Sequence, residues 1–140
     1  MPQIVNAIKI NVSAATATGT TAVNSAIIDM KGFDGVLFVT TLGSPGADRS
    51  IKVQEDSAAA MGAAADLAGT SVVSGANPTV WVDVWRPLKR YVRCVVTRTT
   101  TTTAGEIYAI QYAASAVPVV NVVASTIIGE TWQSPAEGVA

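Results

Sequence analysis

The chain contains no histidine and a single cysteine, Cys94. Without imidazole, a Ser-His-Asp or Cys-His nucleophilic site within the chain is impossible, as is a zinc site built on His and Cys together. One cysteine leaves no partner for an intrachain disulfide. Cys94 lies between Val92 and Val96 in an alternating run and reads as a small core residue, with no base beside it to activate a thiol. Charge is also scarce, at 14% of residues against a typical ~25%. A net charge of −1 and a pI near 5.2 give the molecule no general pull towards nucleic acid or anionic lipid. No apolar run approaches the ~20 residues of a membrane-spanning helix. Met1-Pro2-Gln3 lacks the charged start and apolar core of a secretory signal. These absences predict a protein made in the cytoplasm, with no membrane partner, no cofactor, no metal and no enzymatic role.

What is present is apolar: 49% of the 140 residues are hydrophobic, and mean hydropathy is +0.39. A chain of this length forms one domain and buries roughly two thirds of the surface its unfolded form exposes. Its exterior is so poor in charge that some of it is expected to be covered, by copies of itself or by a partner.

Valine, isoleucine and threonine dominate short runs separated by Gly, Pro, Asn and Asp, which is the punctuation of an all-β protein. Strands are predicted at 8–12, 22–30, 36–42, 50–55, 71–74, 79–85, 91–99 and 106–113. Their spacing suits a single-domain β-sandwich of jelly-roll type rather than alternating β and α units. Gly32-Phe33-Asp34-Gly35 suits a hairpin connection, while Gly43-Ser44-Pro45-Gly46 and Gly75-Ala76-Asn77-Pro78 are turn clusters. Residues 14–21 read as a flexible loop, and the whole N-terminal stretch, residues 1–21, as loop-rich. The alanine-rich stretch 58–68 predicts one or two helical turns or a compact loop, interrupted by Gly62. The threonine run 99–103 fits a hairpin tip joining 91–98 to 106–112. From Val117 onward Pro118 and Pro135 discourage continuous sheet. The body therefore spans 1–116, and 117–140 is an extended arm that lies on a neighbour or folds back over its own core. Val119, Val120, Val122, Ile127 and Trp132 are its candidate contact residues.

The richest segment is 79–94. Alternation puts Val80, Val82 and Val84 on one strand face and Trp81, Asp83 and Trp85 on the other. A tryptophan-bearing face needs a cover, which is either a second apolar layer from loops and arm or an interface partner. Arg86, Lys89, Arg90, Arg93 and Arg98 supply five of the nine basic residues around Tyr91, and no acid falls between Asp83 and Glu106. Such a patch fits a nucleic-acid-binding β-module using the hairpin 86–98, an acidic surface on a partner protein, or solvated charge. The carboxylates near turns (Asp29, Asp34, Glu55, Asp56, Asp66) form no recognisable catalytic pair. The glycines match no phosphate-binding loop.

Several segments together resemble the small cement, or decoration, proteins that coat the heads of tailed double-stranded DNA bacteriophages. The carrying stretches are IDMKGFDGVLF at 28–38, IKVQ at 51–54, ADLAGT at 65–70, VDVWRPLKRY at 82–91, IQY at 110–112 and SPAEG at 134–138. The resemblance spans most of the chain and weakens before Ala22. It implies a β-sandwich on the outside of an icosahedral shell, clamping neighbouring major capsid subunits and stabilising the head. It also implies a virion location and the major capsid protein as partner. A homodimer or other small oligomer is expected, with nucleic acid an improbable ligand. The contact surfaces expected on that basis are Trp81 and Trp85, the basic residues Arg86, Lys89, Arg90 and Arg93 with Tyr91, and the arm.

Overall fold

The computed structural model describes residues 3–121, 126–131, 134 and 136–138. After a 3-10 turn at Ile4–Asn6, twelve strands follow in chain order. They are β1 (Lys9–Ala14), β2 (Ala17–Gly19), β3 (Val23–Asn24), β4 (Ile28–Asp29), β5 (Phe33–Thr41) and β6 (Ser50–Asp56). Then come β7 (Ala65–Asp66), β8 (Val72–Val73), β9 (Thr79–Trp85), β10 (Tyr91–Thr97), β11 (Thr102–Ala104) and β12 (Ile107–Ala114). A four-stranded antiparallel sheet runs β1-β12-β5-β9. A second sheet is centred on β10 and β6, with β3 and β4 on one flank and β7 and β8 on the other. The two sheets share one core, the β-sandwich that the alternation predicts. From the first sheet Val36, Phe38, Val80, Val82, Val84, Ile107 and Ala109 are buried. From the second Ile51, Val53, Val92, Cys94 and Val96 meet them.

The local reasons are simple. In β9 every valine is buried and every intervening residue exposed, the pattern of a strand with one face in a core. β10 runs between β6 and the β3/β4 flank and buries residues on both faces, so its apolar run needs no alternation. Gly35 sits in extended backbone within β5, and the Tyr112 ring lies where a Cβ would be. Gly32 does take a left-handed backbone, φ 87°.

Several expectations need correction. The predicted strand 22–30 is two short strands, β3 and β4, because Ser25 breaks the ladder. Its hydroxyl accepts the Cys94 N–H at 2.9 Å, while its own N–H donates to the Cys94 carbonyl at 2.8 Å. Over 58–68 the compact loop holds and the helical turns do not, with a short strand at its end. The Asp56 carboxylate gathers the loop by accepting the N–H groups of Ala58 and Ala63 at 3.1 and 2.8 Å, and β7 follows. Residues 99–103 are not a hairpin tip, since β10 and β12 belong to different sheets. The chain crosses between them and forms β11 on the way. β11 pairs with β2, so the stretch 14–21 contains a strand. Residues 32–35 likewise join no hairpin: residues 30–32 carry the chain from the β10 sheet to the β12 sheet.

The segment 17–21 is fastened by Arg98. This buried guanidinium donates to the carbonyls of Ala17 and Thr21, each at 2.8 Å, and of Thr102 at 2.7 Å. The start of the C-terminal segment is fastened too. Val119 N–H donates to Asn6 O at 2.8 Å. Asn121 accepts the Ile10 N–H through Oδ1 and donates through Nδ2 to Val5 O and Ile8 O, all at 2.9 Å. Residues 119–121 thus lie along the chain's own N-terminal segment. Among the described residues no helix is long and apolar enough to cross a membrane.

Candidate functional site

Cross-strand register builds a second apolar surface on the outside of the four-stranded sheet. Residues directly opposite in a sheet share a face. One row is therefore Val12, Tyr108, Val39 and Trp81, and the next is Ile10, Ile110, Leu37 and Asp83. A third row holds Tyr112, Gly35 and Trp85. The opposite face of the same sheet is the sandwich core, so this sheet is apolar on both sides. Trp81 and Trp85 are 61% and 54% exposed, whereas Leu37, Val39, Ile110 and Tyr112 are half-buried. Together with Trp81 and Asp83 those four residues line a shallow depression of about 430 Å³.

The polar groups of this face are tied down. Tyr112 OH donates to Asp83 Oδ1 at 2.6 Å, and its ring stacks on Trp85 with centroids 5.9 Å apart. Burial, reinforced by the Asp83 carboxylate, pushes the Tyr112 phenol up to about 12. Tyr108 OH donates to Glu106 at 2.7 Å, and that carboxylate raises the Tyr108 phenol. The Arg86 guanidinium lies 5.3 Å from the Trp85 ring centroid, a cation–π distance, and 3.8 Å from the Asp34 carboxylate. Arg86 itself takes a left-handed backbone, φ 51°, which ends β9.

The basic segment 86–98 is partly neutralised, most tightly at Arg90. Arg90 makes a bidentate pair with Asp29 at 2.8 and 2.7 Å, and this guanidinium holds the Asp29 carboxyl down at about 2. Arg90 also sits 5.1 Å from the Tyr91 ring centroid. Arg93 donates to Gln54 Oε1 at 2.9 Å, and the Lys89 backbone N–H donates to Glu55 at 3.0 Å. Arg98 points inward. The acids missing between Asp83 and Glu106 in the sequence arrive from β4, β5 and β6.

In the arm, Val119 and Ile127 are half-buried and, with Ile4 and Ile10, line a cavity of about 530 Å³ beside the N-terminal turn. Val120 is exposed. Val122 and Trp132 lie outside the described residues. The structure thus brings Trp81, Trp85 and Arg86 to one surface and places Lys89, Arg90, Tyr91 and Arg93 around the β9–β10 turn and β10. Val119 and Ile127 lie at the far edge, beside β1.

Sequence reasoning missed Ile10, Val12, Leu37, Val39, Tyr108, Ile110 and Tyr112 as surface contributors. Their signal was runs such as Val36-Leu37-Phe38-Val39, apolar at consecutive positions where a one-sided strand would alternate. Burial pushes the Cys94 thiol up to about 12, opposite to a nucleophile's need. Among the described residues no group of three His, Cys, Asp or Glu could hold a metal ion. Comparison with known protein families, curated proteins and solved structures yields no match.

Proposed function

We propose that the protein is a structural component of a virion, a cement protein that binds the outer surface of an icosahedral phage capsid and clamps neighbouring major capsid subunits. The observation that carries the reading is the four-stranded sheet whose two faces are both apolar while only one is covered within the described chain. A patch of this kind marks a protein contact. Its chemistry also fits: tryptophan, tyrosine and arginine are the residues that concentrate binding energy in interfaces. A clamp works by joining two subunits through one rigid body, so that the second contact forms at high effective concentration. Copies repeated by shell symmetry then resist outward pressure. In this reading the protein is made in the host cytoplasm and carried on the virion. A nucleic-acid role for 86–98 is less well supported, because Arg90 is held by Asp29 and Arg98 is buried against backbone carbonyls, which leaves Arg86, Lys89 and Arg93 to carry it.

The test mixes purified protein with undecorated heads and images the particles. With aromatic side chains of ~150–250 Å² each, the exposed portions of Trp81 and Trp85 leave roughly 100–130 Å² apiece to be covered. That area is worth up to ~3 kcal/mol each. Replacing both by serine should weaken shell binding at least ~100-fold, with the fold retained because neither ring is in the core. Wild-type protein that never decorates the heads refutes the shell reading. Unchanged binding of the double variant refutes the role of this face.

A further inference from the structure

Sheet edges are liabilities, because an edge strand carries a row of unpaired backbone donors and acceptors. The edges of this fold are handled unequally. At the β1 edge Asn121 accepts the outward Ile10 N–H. The flanks of the second sheet are strands of two residues each. β9 ends the other sheet with seven residues and holds no proline, lysine or bulge.

The direction of its free groups follows from the ladder. Leu42 N–H donates to Pro78 O, and Arg86 N–H donates to Asp34 O. These bonds flank the pairs Thr41–Thr79 and Gly35–Trp85, which are therefore non-hydrogen-bonded pairs. By alternation the N–H and C=O of Thr79, Trp81, Asp83 and Trp85 point away from β5, into the open edge. Beside them runs a groove of about 450 Å³, walled on its other side by Val72, Val73, Ser74 and Asn77. Val73 on that wall is 54% exposed.

We propose that β9 is the pairing edge for a second copy of this chain, with two β9 strands antiparallel about a two-fold axis through Val82. The sequence of the strand is self-complementary about that point. Val82 faces Val82 of the other copy and Val80 faces Val84, so the core valines continue across the seam. Trp81 faces Asp83 and Thr79 faces Trp85, so all four residues with outward groups are paired with one another, giving about eight backbone hydrogen bonds. An axis through Asp83 instead sets two carboxylates opposite each other, which is destabilising, and sets Thr79 against Pro87, which has no N–H. The result is one continuous eight-stranded sheet whose apolar outer faces join. The pairing extends the shell reading by naming one partner, and it is tested on purified protein without shells, so its failure leaves that reading standing.

Sedimentation over a wide concentration range should show a monomer–dimer equilibrium. Amide hydrogen exchange at Thr79, Trp81, Asp83 and Trp85 should slow as the dimer forms. Asp83→Pro deletes an outward N–H without touching the β5 ladder and should weaken dimerisation by about tenfold or more, whereas Asp83→Ala keeps the N–H and should dimerise as wild type. Should Asp83→Pro fail to fold, the wild-type exchange data decide. A chain that stays monomeric at every concentration overturns the proposal. So does a dimer whose four amides exchange freely, or protection of those amides that appears only when another protein is added.

Discussion

Replacing Arg98 by methionine isolates one buried charge. The guanidinium is almost wholly buried and meets no carboxylate; its partners are the carbonyls of Ala17, Thr21 and Thr102 at 2.7–2.8 Å. Methionine keeps much of the aliphatic stem but leaves three carbonyls without this donor. A hydrogen bond to a charged group contributes ~1.5–3 kcal/mol, and the cost of desolvating the lost charge offsets some of that. The Ala17 and Thr21 carbonyls lie on partly exposed segments and regain water, while the Thr102 carbonyl does not. A net loss of about 3 kcal/mol follows, or a fall in Tm of roughly 10 °C for a domain of this size. Urea unfolding followed by tryptophan fluorescence measures it, and hydrogen exchange should show β2 and β11 opening first. A loss below ~1 kcal/mol, with β2 still protected, would refute the assignment of Arg98 as the clip of this ribbon.

Two further outcomes follow from single contacts. Gly35→Ala places a methyl group against the Tyr112 ring and should cost about 1–3 kcal/mol by overpacking; combined with Tyr112→Ala, most of that cost should vanish, as a double-mutant cycle of melting curves will show. Asp29 titrates at about 2 when folded, below its unfolded value, so its pairing with Arg90 stabilises the fold above roughly pH 4 and that contribution is lost as pH falls towards 2. Asp29→Asn should therefore lower the urea midpoint at neutral pH and converge on wild type near pH 2; equal gaps at both pH values would contradict the pairing.

The sandwich was legible where one strand face enters a core. Val80, Val82 and Val84 alternate with Trp81, Asp83 and Trp85, and the structure buries the valines as that pattern requires. Legibility failed where tertiary partners override local pattern. The run 22–30 looks continuous, yet Ser25 spends its hydroxyl on Cys94 N–H and splits the strand. The alanine-rich stretch has helix propensity, but Asp56 offers its loop two hydrogen bonds that a helix there would forgo. The basic segment looks unneutralised in the sequence because Asp29 and Asp34 are distant in the chain and adjacent only in the sheets. The outer face was half legible: the tryptophans announced it, while Leu37, Ile110 and Tyr112 needed the register of three strands to join them.

The size of that face bears on how the two proposals combine. Four strands spaced ~4.8 Å apart and three rows ~6.8 Å apart make a footprint of roughly 400 Å². A single copy therefore offers about half of the ~800 Å² that each partner contributes to a specific interface. Pairing two β9 strands places two such faces side by side in one twisted sheet and brings the footprint to that size. It also fixes the faces rigidly relative to each other, which removes the ordering cost that two separate copies would meet on landing next to one another. On this argument the edge and the face add to each other: the edge makes the dimer, and the dimer doubles the surface that a single copy offers to the shell. An Asp83→Pro variant should then bind shells more weakly than Asp83→Ala, although the residue itself lies at the seam.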